Sequence, residues 1–278
     1  MVLIFHHTDM DGYSSAAVIK KYNNKCYCRP VNYKDALPTL EEVEKANNIS
    51  KVNVIYIVDY SFTEDTFYQL QDLLEEYKVI WIDHHKSSLS ILPYLDSYDN
   101  LEYYIDTEYC GAINTWKYIN DEKEIPYCLQ LVDSWDTWKH FDENDFAFKL
   151  FFDSKKVKDT IEIFMDLIDT DNCDKYITHG KILENYTLNL YNQMSNKAYG
   201  AYLNGLNCIV LNTPIKSSLV FGNKIIDYDA AIVWNYDGSL YEYSIYTAKN
   251  IDVSTIAEIY GGGGHPSAAG FTSEYKLL

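Results

Sequence analysis

Three short apolar runs, VLIF (2–5), NVIYIV (53–58) and KVIWI (78–82), are separated by stretches of helical periodicity, and this leaves the chain few architectures. Runs of this length, rich in β-branched residues, read as strands buried on both faces. Between them, GYSSAAVIKKY (12–22) reads as a helix. TEDTFYQLQDLLEEY (63–77) places Phe67, Leu70, Leu73, Leu74 and Tyr77 on one helical face, opened by a Ser61/Glu64 capping box. Strands alternating with helices of this length imply βαβ units: an α/β fold whose parallel sheet carries helices on both faces. Ligands of such sheets bind beyond the carboxyl ends of the strands.

The second half has a different texture. YCGAINTWKYIN (109–120) and a segment opened by Pro126 begin a helical region that runs to about residue 205, ending in a long helix that crosses between domains. Strand-like CIVLN, AAIVWNY and YEYSIYTA follow, the last two joined by an Asp237-Gly238 hairpin. A helix, DVSTIAEIY, then leads into a Gly-rich loop, GGGGHPSAAGF (261–271). The expected domains are 1–180, a helical linker 181–205, and a smaller α/β domain 206–278.

Composition narrows the partners. With 47% apolar residues and no apolar run near the ~20 residues of a membrane span, the chain should fold as a soluble globule away from the membrane. The N-terminus has no basic region ahead of its short apolar run, so it does not read as a signal peptide. Its 6 cysteines include no C-x-x-C pair, which suits reduced thiols and a cytoplasmic setting. The net charge of −18 argues against a broad duplex-binding surface, since phosphate contacts need a basic footprint. A small anionic ligand drawn in by local charge or bound metal fits better. A homodimer is compatible with such a chain.

Each of the three strands ends in ionisable side chains. The first runs into His7, Asp9, Asp11 and Gly12, the second ends at Asp59, and the third at Asp83-His84-His85. One such acid alone would read as a helix N-cap. Three successive strand ends brought side by side would repel one another unless they shared cations. Mixed Asp and His ligands suit manganese, with magnesium or cobalt as substitutes, and Asp59 in the middle could bridge two ions. Two metals roughly 3.5–4 Å apart are the usual device for phosphate-ester hydrolysis.

At these residues the sequence resembles the DHH phosphoesterase family. Asp83-His84-His85 is similar to the family's name motif, HTDMDG (7–12) to its first motif, and Asp59 in IVDYS to its second. For the fourth-motif acid, LQLVDSWDTW offers Asp133 and Asp136, of which Asp133, following the apolar run, is the better match. GGGGHPSAAGF resembles the signature of the DHHA1 domain that accompanies many members. The resemblance implies His7, Asp9 and Asp59 for one manganese ion, and Asp11, Asp59, His84 and Asp133 for the other. It implies that His85 faces the scissile phosphate while Asp83 orients the site. It also implies that Gly262, Gly263, Gly264 and His265 bind substrate.

The chain departs from the family in two places. The H-x-D-x-D-G spacing is that of the RecJ-type branch, although RecJ-type enzymes are usually longer. Tyr246 stands where many DHHA1 domains carry a phosphate-binding Arg, with Lys249 as a substitute. The expected function is a manganese-dependent phosphohydrolase of short nucleotides: oligoribonucleotides, dinucleotides or bisphosphorylated nucleosides. A RecJ-like single-strand exonuclease is the runner-up, and a catalytically silent nucleotide-binding module a third reading.

Overall fold

A computed structural model describes residues 1–33, 39–48, 51–121, 123–154 and 157–278. The chain divides into two compact units, Met1–Leu183 and Glu184–Leu278.

The first unit is built on strands β1 (Val2–His7), β2 (Cys26–Val31), β3 (Val54–Val58), β4 (Val79–Asp83) and β5 (Leu101–Ile105). All pair parallel, in the order β2-β1-β3-β4-β5. Helices α1 (Met10–Lys21), α2 (Leu40–Asn47), α3 (Phe67–Leu74) and α4 (Leu92–Leu95) lie between successive strands, a 3-10 turn at Lys86–Ile91 preceding α4. Five more follow: α5 (Gly111–Asn120), α6 (Tyr127–Asp136), α7 (Asp145–Asp153), α8 (Val157–Thr170) and α9 (Asp174–Ser195).

Alternation along the strands gives the sheet two apolar faces. Ile4, Val58, Ile80 and Ile82 pack with α1, α5, α6 and α8, while Leu3, Phe5, Ile57 and Trp81 pack with α2 and α3. Two burials per strand account for the nearly unbroken apolar runs of the sequence. The strand order reverses direction at the β1/β3 junction, the switch point where sheets of this kind open a crevice. In the register there, His6 faces Val58 and Val58 faces Ile82. The next residue along each strand is therefore His7, Asp59 or Asp83, and the three chemical segments emerge side by side.

The second unit holds β6 (Tyr199–Leu203), β7 (Leu206–Asn212), β8 (Ala230–Tyr236) and β9 (Tyr241–Tyr246). Helix α10 (Ser254–Ile259) and strands β10 (Gly263–His265) and β11 (Ala268–Ser273) complete it. They form one sheet in the order β10-β11-β9-β8-β7-β6, antiparallel except where β7 meets β8.

Several sequence expectations need correction. The helix expected to run to residue 205 stops at Ser195, and Asn204-Gly205, both at positive φ, turns β6 back on β7. An Asn-Gly pair between strands is a strong hairpin signal, and helical periodicity upstream masked it. The unit boundary consequently falls inside α9, and residues 199–205 belong to the second sheet. Helix α3 starts at Phe67 without the Ser61/Glu64 box, because the Thr66 hydroxyl accepts from the Thr63 amide and closes a turn ahead of the helix. Strands β2 and β5 were not anticipated. Both sit at the edges of the sheet and alternate with polar residues, so they lack the apolar run that marks a central strand.

The Gly-rich segment is a β-hairpin and not a loop. A Cβ at Gly262 would lie 2.1 Å from the Gly270 carbonyl oxygen, and one at Gly264 2.5 Å from Ala269 Cα. These glycines are required by the close approach of β10 to β11. Gly261 and Gly263 face open space, Gly261 at a positive φ of 76°.

Candidate metal centre

At the carboxyl end of β1, the His7 imidazole lies 2.7 Å from Asp9 Oδ2. Asp9 caps α1, its Oδ1 accepting from the Gly12 amide at 2.9 Å. A side chain at Gly12 would strike the His7 carbonyl oxygen at 2.3 Å, so this glycine serves the strand-to-helix turn itself.

In the first turn of α1, Asp11 is 1% exposed and is held by the start of α5. The Gly111 and Ala112 amides each donate to one of its oxygens at 2.7 Å. A helix N-terminus is a natural seat for a carboxylate. Gly111 is needed there, since a Cβ would stand 2.9 Å from Asp59 Cβ and 3.0 Å from Asp11 Oδ2.

Asp59 is 1% exposed and adopts a left-handed backbone, φ 51°, which Asp tolerates better than most residues. The two oxygens of Asp59 face different neighbours: Oδ1 lies 3.3 Å from His84 Nε2 and Oδ2 3.8 Å from His7 Nδ1. Its Oδ2 is buried with no hydrogen-bond partner. His84 Nε2 also approaches Asp11 Oδ2 at 3.6 Å and Asp136 Oδ2 at 3.5 Å.

His85 offers a ligand atom within 4.8 Å of those of Asp59 and His84, and is anchored differently. Its Nδ1 is 2.7 Å from Asp83 Oδ1, and the buried Ser88 hydroxyl donates to Asp83 Oδ2 at 2.5 Å. Held in this way, the ring has Nε2 left for a ligand.

Electrostatics mark the same residues. Burial, reinforced by neighbouring carboxylates, raises Asp59 and Asp136 well above the usual carboxylate range. Asp11 is also raised by burial, despite its two amide donors and the nearby His84. Burial acts to raise Asp9 too, but the His7 hydrogen bond and charge outweigh it and bring the group down to about 2. For His85, burial is overcome by the hydrogen bond and charge of Asp83, so its pKa rises.

The donor set fits divalent cations. His7, Asp9 and Asp59 offer ligand atoms within 4.8 Å of one another, and so do Asp11, His84 and Asp136. An orphaned carboxylate oxygen and several acids that resist ionisation at one strand edge are what a missing positive charge leaves behind.

The structure places the two fourth-motif candidates differently. Asp133 is buried: its Oδ1 accepts from the Cys110 amide at 2.7 Å, and its Oδ2 lies 3.4 Å from Lys139 Nζ. Asp136, nearly one turn later on α6, is the acid beside His84. An apolar run ahead of Asp133 signalled a buried residue, and burial was here a matter of capping α5 and not of facing the other acids.

Sequence reasoning also missed the amides of Gly111 and Ala112, the Ser88 hydroxyl and Tyr33. A glycine at the start of a helix was the available sign for the first pair. Gly262, Gly263, Gly264 and His265 all lie in the second unit, on or beside β10, with His265 exposed. Tyr246 packs against the apolar cluster of Ile209, Leu211 and Val233, and Lys249 pairs with Asp229 at 3.1 Å.

A protein of Acanthamoeba polyphaga mimivirus, Uncharacterized protein R106, is 28% identical over 294 residues covering 97% of this chain. This chain spans 66% of that relative's length. Among solved structures, the pGpG-specific phosphodiesterase PggH from Vibrio cholerae superposes with a TM-score of 0.58 at 14% identity, covering 98% of this chain and 93% of its own. RecJ in complex with Mn2+ from Thermus thermophilus superposes with a TM-score of 0.52 at 15% identity, covering 97% of this chain and 49% of its own. At such identities the likeness is one of fold. Residues 1–131, which carry β1 to β5 and every strand-end acid described above, match the family model for the DHH family, N-terminal domain. The N-terminal part of this chain is thus similar to the N-terminal domain of the DHH family.

Proposed function

We propose that the protein is a metal-dependent phosphohydrolase that cleaves phosphodiester or phosphomonoester bonds of short nucleotides, with manganese as its metal. The observation that carries this reading is the convergence of two His/Asp groups on Asp59, whose two oxygens face one group each. His7, Asp9 and Asp59 would hold one ion, and Asp11, Asp59, His84 and Asp136 the second. Divalent cations bound there supply Lewis-acid polarisation of a phosphate oxygen and a more acidic water.

The chain's own residues do the rest. The amides of Gly111 and Ala112 fix Asp11, and the left-handed backbone at Asp59 aims its carboxylate into the cluster. Asp83 anchors His85 through Nδ1, so that Nε2 can donate a proton toward a leaving oxygen. Within the second unit, Gly263 and His265 are exposed and are candidates for binding a phosphate. A net charge of −18 and the PggH likeness favour short substrates over long strands.

The test is hydrolysis by the manganese-supplemented protein across linear dinucleotides, oligoribonucleotides of graded length and a 3′,5′-bisphosphorylated nucleoside. Turnover of at least one class, lost in His84→Ala, is expected. Absence of turnover across the panel sinks the proposal.

A further inference from the structure

Beside the acids lies a pocket of about 290 Å³ walled by Tyr33, Tyr60 and His85, of which the proposed chemistry uses only His85. We propose that it is a binding subsite for an uncharged nucleoside, so that the substrate presents a nucleoside and not a second phosphate on that side of the bond. The word substrate rests on the phosphohydrolase reading; nucleoside binding does not.

Tyr33 supplies the first argument. Its ring is 49% exposed yet held in place, stacked on the buried Tyr60 at 4.7 Å and 25°. The phenol oxygen accepts from the Ser61 amide at 3.1 Å, which fixes the direction of the ring. The same ring is 5.2 Å from His7 and 6.2 Å from His85. A supported aromatic face beside the two imidazoles is a stacking platform for a base.

The remaining wall supplies the second. Its polar groups are the hydroxyls of Ser61, Ser87 and two threonines and the amide of Gln69. The described lining contains no Lys, Arg, Asp or Glu. A phosphate placed there would lose water and find no cation but His85, which is already assigned to the leaving oxygen, whereas a sugar or base edge finds neutral donors and acceptors along the rest of the wall. The carboxamide oxygen of Gln69 is buried without a hydrogen-bond partner, while its nitrogen donates to Tyr68 at 2.8 Å.

The pocket is also wired to the chemistry. Ser87 and Ser61 hydroxyls are 2.5 Å apart, the Ser88 hydroxyl donates to Asp83 at 2.5 Å and lies 3.0 Å from that of Ser61, from which it can accept, and Asp83 holds His85. An occupant touching Ser87 is thus connected by hydrogen bonds to the imidazole placed at the leaving oxygen.

The experiment has two arms. Binding of adenosine and guanosine to the intact, manganese-loaded protein is measured by saturation-transfer NMR with titration. Tyr33→Leu should weaken it about tenfold or more, and Tyr33→Phe, which keeps the ring, by no more than about threefold. In the second arm, the ratio of kcat/KM for a linear diribonucleotide to that for the 3′,5′-bisphosphorylated nucleoside should fall about tenfold in Tyr33→Leu, through KM. No nucleoside binding, equal loss in Leu and Phe, or a drop confined to kcat for both substrates would overturn the inference. If the protein proves to have no hydrolytic activity, the phosphohydrolase reading fails while the first arm still decides whether the pocket takes a nucleoside.

Discussion

Asp136 and Asp133 sit nearly one turn apart on α6 and do different work. Asp136 is a half-buried carboxyl whose neighbours are acids and His84, so Asp136→Ala removes repulsion along with a candidate ligand atom. We expect the manganese requirement to rise more than about tenfold and kcat to fall on the order of a hundredfold, with thermal stability unchanged or improved, as read by metal titration and calorimetry. Asp133→Ala should do the opposite. It strands the buried Cys110 amide at a cost of about 1–3 kcal/mol in urea unfolding, while the metal requirement moves little. A stability loss in the first variant and a metal defect in the second would reverse the assignment. Gly111→Ala probes the same corner. Its methyl would meet Asp59 Cβ and Asp11 Oδ2, so weaker manganese binding should accompany a loss of about 1–3 kcal/mol.

Elements impose their own constraints on chemistry. The carboxyl ends of β1, β3 and β4 present the acids, and α5 answers them with free amides at its first turn. The short 3-10 turn after β4 adds Ser88, which keeps Asp83 in place for His85. Ser88→Ala should lower kcat about tenfold with little change in KM and a shifted pH–rate profile, because only the orientation and basicity of His85 are disturbed; unchanged kcat would disprove that positioning role. The β10–β11 hairpin makes a second prediction. Gly262→Ala should destabilise the protein by about 2 kcal/mol or more, whereas Gly263→Ala should leave the melting temperature within a degree or two. Activity lost in Gly263→Ala at preserved stability would point to its backbone as a ligand contact.

For the molecule as a whole, the buried acids couple metal binding to pH. Asp11, Asp59 and Asp136 have raised values in the metal-free fold, so the folded chain binds more protons than the unfolded one above the unfolded carboxylate value of about 4. Their contribution therefore favours the metal-free fold below that pH and is lost as pH rises through the folded values. His6, lowered by burial to about 4, acts in the opposite sense between about 4 and 6.5. The difference in melting temperature with and without manganese cancels His6. That difference should grow with pH from 5 to 8, with protons released on binding in calorimetry across buffers of different ionisation enthalpy. A flat difference would remove these carboxyls from the metal centre.

The amino-acid sequence by itself determined the parallel first sheet and its chemical edge. Doubly buried strands must be written as unbroken apolar runs, so VLIF, VIYIV and VIWID stand out, as do the His and Asp residues that interrupt them. It did not mark β2 or β5, whose edge positions ask for no such run, nor the hairpin at Asn204-Gly205 that a helical pattern overlay. Tertiary structure alone separated the surroundings of Asp133 and Asp136, because both lie on α6 after the same apolar stretch and only the packing of α6 against α5 turns one to the Cys110 amide and the other to His84. It alone assigned Gly262 and Gly264 to strand packing and supported Tyr33 on Tyr60 beside the two imidazoles. Local periodicity records which residues are buried; what a buried polar group faces depends on segments distant in the chain, and that is set only when they meet.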